Sequence, residues 1–192
     1  MKHLYVAAAE EVERGAVADV AARIEAEFGG PVRSMEMGSL DFAYNVERRQ
    51  YGSIPVLEEL LKRWPSDAWK VLAVTERDLY IPVLTFVFGQ AQLGGRAGVL
   101  SLARLRQEFY GMPADQTVFR DRLHKEALHE TGHLFGLVHC AARECAMSLA
   151  TNVRQIDLKM DGFCAACRAR ALRHAAERQK YEDSLANSSG RR

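Results

Sequence analysis

Apolar positions along the first half of this chain switch repeatedly between a period of two and a period near 3.6, the signature of alternating strands and helices. Leu4–Ala8 is a short apolar run that predicts a strand. Over about residues 11–28, Val12, Val17, Val20, Ile24 and Phe28 keep near-helical spacing, and Gly29-Gly30-Pro31 stops the helix. Val32–Met37 fits a second strand. Residues 54–63 predict a short helix, with Pro55 in its first turn and Leu57, Leu60 and Leu61 on one face. Trp69–Val74 reads as apolar on both faces, hence as a central strand. Pro82 leads into Val83–Phe88, a run of strong β-formers, and a proline near its start suits an edge strand. A plain core strand fits that run equally well. Gly94-Gly95 marks a turn before Ala97–Leu102, a fifth strand. From about Asp115 the pattern is helical through Leu137. A closing helix is expected near residues 164–181, and the tail from Ser184 has nothing to bury and is expected to be disordered.

This order of elements predicts an α/β (α+β) fold, layered on a mixed sheet. A chain of 192 residues is long enough to bury about 70% of its unfolded surface in one domain. The formal net charge of +1 gives no general electrostatic case for a nucleic-acid partner or an acidic membrane. Lys2 and the apolar Leu4–Ala9 resemble the start of a secretory signal, but the run ends at Glu10-Glu11, too short for its apolar core. No apolar stretch of about 20 residues is present to span a bilayer. A cytoplasmic location is the resulting expectation.

The chemistry concentrates at the end of the last long helical pattern. His129-Glu130-Thr131-Gly132-His133-Leu134-Phe135-Gly136-Leu137-Val138-His139 has the form HExxHxxGxxH. Residues four apart share a helix face, so His129 and His133 can grip one ion, with Glu130 beside them to act on water. Gly136 allows the chain to turn by positive φ and return His139 as a third imidazole. Three protein ligands leave one coordination position open, the arrangement of a catalytic zinc. HExxH alone arises by chance on helices rich in Glu and His. The added glycine and third histidine, with three of the chain's six histidines inside eleven residues, make surface histidines a poor account.

All four cysteines follow at once. Cys140, Cys145, Cys164 and Cys167 form C-x4-C, 18 residues, then C-x2-C. Two disulfides would need an oxidising compartment, and a redox CxxC would leave Cys140 and Cys145 idle. A four-thiolate structural zinc site accounts for all four. Because Cys140 adjoins His139 in a stretch short of large apolar residues, such a site would also pin the third imidazole and preorganise the catalytic ion.

The motif block 129–167, with Cys145-Ala146-Met147 and Cys164-Ala165-Ala166-Cys167, closely resembles the archaemetzincins, zinc metallopeptidases of the metzincin clan. Thr75-Glu76-Arg77-Asp78-Leu79-Tyr80-Ile81-Pro82 and Phe86-Val87-Phe88-Gly89-Gln90-Ala91 are similar to that family as well. The 16 residues between Met147 and Cys164 are one fewer than the family pattern, which implies a shortened loop. The resemblance implies a twisted sheet carrying an active-site helix. It further implies a single metallopeptidase domain over residues 1–183, with an N-terminal subdomain of about 1–136 and a small C-terminal subdomain of about 137–183. Met147 would lie in a Met-turn beneath the metal ligands, and a peptide or protein would be the substrate. The implied chemistry is peptide hydrolysis, with a catalytic zinc on His129, His133 and His139, Glu130 as general base, and a structural zinc on the cysteines.

Two other functions use some of the same residues. One is a zinc-binding regulatory or peptide-binding module with little or no proteolytic activity, for which a carboxylate beside the ligands would be superfluous. The other is a nucleic-acid module built on the cysteine site. Arg168, Arg170, Arg173, Arg178 and Lys180 gather on the last helix, but Glu177, Glu182 and Asp183 interrupt them, as on a solvated helix face.

Overall fold

Successive side chains of strand β1 (His3–Ala9) enter different layers: Leu4 and Val6 one apolar cluster, Ala7 and Ala9 another. A strand buried on both sides needs helices on both faces of its sheet. The computed structural model, which describes residues 2–176, has that arrangement. Helices α1 (Arg14–Phe28) and α3 (Gln116–Leu134) cover one face. There Val17, Val20 and Ile24 meet Phe119, Leu123 and Ala127 over Leu72, Val74 and Leu100. Helix α2 (Ser53–Lys62) covers the other, placing Val56, Leu57 and Leu60 on Val71, Ala73, Ala97 and Val99.

The main sheet contains β2 (Val32–Gly38), β5 (Ala68–Thr75), β7 (Gly89–Ala91) and β8 (Ala97–Ser101) with β1, in the order β2-β1-β5-β8-β7. All neighbours run parallel except the last pair, β7–β8. The sheet is therefore mixed, and β5 is central as its sequence predicted. A second small sheet joins β3 (Tyr44–Asn45), β4 (Gln50–Gly52) and β6 (Leu79–Tyr80), elements too short to leave a periodic signal.

The expected edge strand Val83–Phe88 is not one. Residues 82–85 turn, with Leu84 N–H donating to the Ile81 carbonyl, and one bridge, Leu79 to Val87, is all the pairing they lead into. The edge strand begins where that run ends, at Gly89. Val83 is 84% and Leu84 51% exposed, so the β-formers here face outward and do not pair. Arg48 holds the turn by donating to the Leu84 carbonyl, and Gln50 Nε2 donates both to the Thr85 carbonyl and to Asp78.

Helix α3 starts at Asp115, whose carboxylate accepts from the backbone N–H groups of Thr117 and Val118. Its last carbonyls are satisfied from outside the helix: Gly94 N–H donates to His133 O, and Lys70 Nζ to Leu134 O at 2.7 Å. A cation at a helix C-terminus is favoured by the helix dipole. That explains a lysine, only 3% exposed, inside the central strand. Beyond α3 the chain forms the short helix α4 (Val153–Asp157) and a helix over residues 165–176. The remainder of the expected closing helix and the tail from Ser184 lie outside the described residues. Leu137, Ala146, Met147 and Phe163 make a third apolar cluster against Leu128 of α3. Among the described residues no helix is long and apolar enough to cross a membrane.

Leu123 is fully buried where α3 packs on α1 and the sheet. Leu123→Ala should destabilise the fold by about 3 kcal/mol through lost transfer and a cavity. The midpoint of urea unfolding checks this, and an unchanged midpoint would mean that α3 is not held by this face.

Candidate metal centre

His129 and His133 project from the last turns of α3, and Gly136 at φ 80° reverses the chain so that His139 returns beside them. The three rings face one another with centroids 4.6–5.3 Å apart. The outer nitrogens of the first two rings are held by the main chain: His129 Nδ1 donates to Ala146 O at 2.8 Å and His133 Nδ1 to Leu137 O at 2.7 Å. A carbonyl can only accept, so each Nδ1 carries the proton and each Nε2 presents a lone pair inward. These two Nε2 atoms lie 3.1 Å apart. Two lone pairs at that distance repel unless a cation lies between them. Tetrahedral zinc with Zn–N near 2.0 Å would set its nitrogens about 3.3 Å apart, so the pair fits. Burial holds all three imidazoles below the usual histidine range, His129 well below, and the Lys159 charge adds to this. Neutral rings are the form that binds a metal.

Glu130 sits on the same turn and is 4% exposed. Among the described residues its Oε2 has no hydrogen-bond partner. Burial first, and Glu126 second, push its carboxyl well above the ordinary carboxylate range, while Lys159 opposes them. Gly89, the first residue of β7, lies directly against it. A Cβ built there would come within 2.5–2.6 Å of the Glu130 carboxylate. Strand and helix thus close on the acid with no room for any side chain between. Gly89, Glu130 and the three histidines line a cleft of about 530 Å³ together with Phe86, Phe88, Val138 and Leu149.

The cysteines converge as a second cluster, all four as free thiols with their sulfurs within 4.8 Å of one another. Cys140 and Cys164 Sγ are 3.9 Å apart, near the roughly 3.8 Å that tetrahedral Zn–S bonds of about 2.3 Å impose. Cys145 and Cys167 are buried, and Cys164 N–H points at Cys145 Sγ. The Cys167 backbone N–H and the neighbouring thiols hold Cys164 at about 7, so a thiolate is accessible at neutral pH. The donor chemistry and spacing fit one metal ion. Cys140 N–H donates to Met147 O, and Ala146, whose carbonyl orients His129, donates its own N–H to Gly162 O. The two clusters are therefore bound into one piece of backbone.

Every candidate residue read from the sequence falls in one of these two groups or between them. Met147 is fully buried against α3, where any Cβ on Gly132 would overlap its sulfur. Nothing in the run Phe86–Ala91 marks Gly89 as the residue that meets Glu130. Nor did the sequence reveal the orienting carbonyls of Ala146 and Leu137, since main-chain atoms carry no residue-type signal. Glu126 and Lys159, buried beside the site, belong to no motif that marks them in the sequence.

Comparison with known proteins agrees. Residues 36–173 match the model of peptidase family M54. The archaemetzincin of Methanocaldococcus jannaschii is 44% identical over 126 residues, 66% of this chain and 68% of that one. The archaemetzincin of Pyrococcus abyssi is 36% identical over 148 residues, covering 74% and 78%. The crystal structure of archaemetzincin from Methanopyrus kandleri superposes with a TM-score of 0.80 at 30% identity, covering 91% of this chain and 96% of that one. A zinc-dependent peptidase from Methanocorpusculum labreanum gives 0.78 at 31% identity, covering 88% and 99%. With most of its length matched and both donor clusters assembled, this chain belongs to peptidase family M54, the archaemetzincins, a family of zinc metallopeptidases.

Proposed function

We propose that this chain hydrolyses peptide bonds with one zinc ion held by the Nε2 atoms of His129, His133 and the imidazole of His139, and with Glu130 as general base. The observation that carries this reading is a buried carboxylate oxygen without a partner among the described residues, on the helix turn that also presents two converging imidazole lone pairs. Zinc in that position supplies Lewis acidity, acidifying water and polarising the scissile carbonyl. Glu130, raised in basicity by burial, takes the proton of the attacking water and returns it to the leaving amine. Strand β7 is the sheet's edge and lines the cleft, so an extended peptide can add to it as a further strand.

The four thiols hold a second, structural zinc in the same reading, for two ions per chain. Met147 forms a Met-turn packed under the imidazoles, and the chain divides near Gly136 into two subdomains of one domain. Reduced thiols suit a cytoplasmic protein. The partner is a peptide or protein, with no role for nucleic acid or a membrane surface.

Four outcomes follow from these roles. Metal analysis should find two zinc ions per chain, the histidine-held one lost to chelator first. A parent that carries a single tightly bound ion, retained undiminished when all four cysteines are replaced, would defeat the two-site assignment. Cys140→Ser should weaken zinc at the histidine site, although Cys140 is not its ligand, because His139 loses its anchor. Competition with a chelating dye measures this, and unchanged affinity with the thiolate site empty would refute the coupling.

Glu130→Gln should keep both metals and lower hydrolysis by about two to four orders of magnitude. Equal hydrolysis by parent and variant would assign the cleavage elsewhere, and none by either would favour the binding-module reading. Gly89→Ala leaves every metal ligand in place but drives a methyl into the Glu130 carboxylate. A misplacement of about 1 Å can cost a factor of about 100, so turnover should fall at unchanged zinc content.

A further inference from the structure

One helical turn before Glu130, Glu126 also lines the cleft, and its Oε1 accepts from Lys159 Nζ at 2.8 Å. The side chains are 3% and 0% exposed, so this salt bridge is almost wholly withdrawn from solvent. Lys159 arrives from the stretch after α4 and lies behind the carboxylate. Replacing a buried ion pair by apolar side chains of similar volume is often neutral or stabilising. Fold stability alone therefore gives no reason for charges here, beside walls as apolar as Phe86, Phe88, Val138 and Leu149. What the pair adds is a fixed hydrogen-bond acceptor at the boundary of the cleft.

A carboxylate offers about four lone-pair positions, and Lys159 uses one oxygen. A substrate side chain seated against Glu126 removes the last 3% of its access to solvent. An aliphatic end would leave the acceptor without a partner, whereas a donor would replace the lost solvent. A second cation would come close to the Lys159 ammonium, which sits on the same carboxylate. A substrate carboxylate would face both Glu126 and Glu130.

We infer that Glu126, held by Lys159, is a specificity-determining residue that selects a substrate side chain ending in a neutral hydrogen-bond donor, such as a carboxamide or hydroxyl, and rejects acidic ones. This rests on the cleft being the peptide site proposed above. It concerns which peptide the site takes, not how the bond is cut.

The test uses zinc-loaded Glu130→Gln protein, which holds peptides without turning them over. A fluorescent peptide series carries Gln, Leu or Glu at each position in turn, and dissociation constants are read by fluorescence polarisation. At one position Gln should bind about ten- to a hundredfold more tightly than Leu or Glu, the range of a hydrogen bond to a charged group. In the background of Glu126→Leu with Lys159→Met, which keeps the volume but removes the pair, Leu should equal or exceed Gln at that position. Should that variant fail to fold, Glu126→Gln serves instead. Its carboxamide can donate, so discrimination against Glu should shrink while bulk is unchanged. The same ranking in parent and variants, or no position that prefers Gln, overturns the inference. A preference that persists although neither parent nor Glu130→Gln cleaves any peptide would uphold the selectivity while refuting the peptidase reading.

Discussion

Three imidazoles, one buried, one half-buried and one exposed, must present their lone pairs to one point in the wall of a cleft, and the rest of the structure follows from how that is achieved. Neutral histidine has two tautomers and a freely rotating ring. Here the choice is removed for two of the three by main-chain carbonyls, Ala146 O for His129 and Leu137 O for His133. Both carbonyls lie after the reversal at Gly136, so the helix supplies the rings and the following segment orients them. Burial then keeps the rings neutral, and two Nε2 atoms at 3.1 Å make a site that only a cation relieves.

The sheet and helices serve to hold that turn of α3 still. Its side is fixed by packing on α1 and on Leu72, Val74 and Leu100, and its end by Gly94 and the buried ammonium of Lys70. Strand β7 is brought against it so closely that Gly89 touches the Glu130 carboxylate. An acid confined in this way has little conformational freedom, and its low-dielectric surroundings raise its affinity for a proton.

The segment after Gly136 has too little apolar bulk to form a core by itself. Its order comes from the thiol cluster, from Met147 packed in the space left by Gly132, and from backbone bonds such as Cys140 to Met147 and Ala146 to Gly162. The Lys159–Glu126 salt bridge ties the same segment back to α3, one turn from the acid. The two donor clusters are in this sense one construction, since the carbonyl that sets His129 belongs to the residue after Cys145.

How much of this could be read without coordinates differs by element. Four of the five main strands and the three longer helices carry their own periodicity and lie within a few residues of where it puts them. The two candidate donor sets are legible because side-chain type and local spacing are enough to bring them together: i and i+4 on a helix, a glycine that permits reversal, close pairs of cysteines. Val83–Phe88 misleads because β-propensity reports a fit to any half-buried apolar surface, and this run uses it to rim a cleft. The contact of Gly89 with Glu130, the carbonyls of Ala146 and Leu137, and the burial of Lys70, Glu126 and Lys159 were decided only by the tertiary structure. Each depends on segments distant in sequence, and nothing local in a glycine, a main-chain oxygen or a lone charge records which partner the fold will bring.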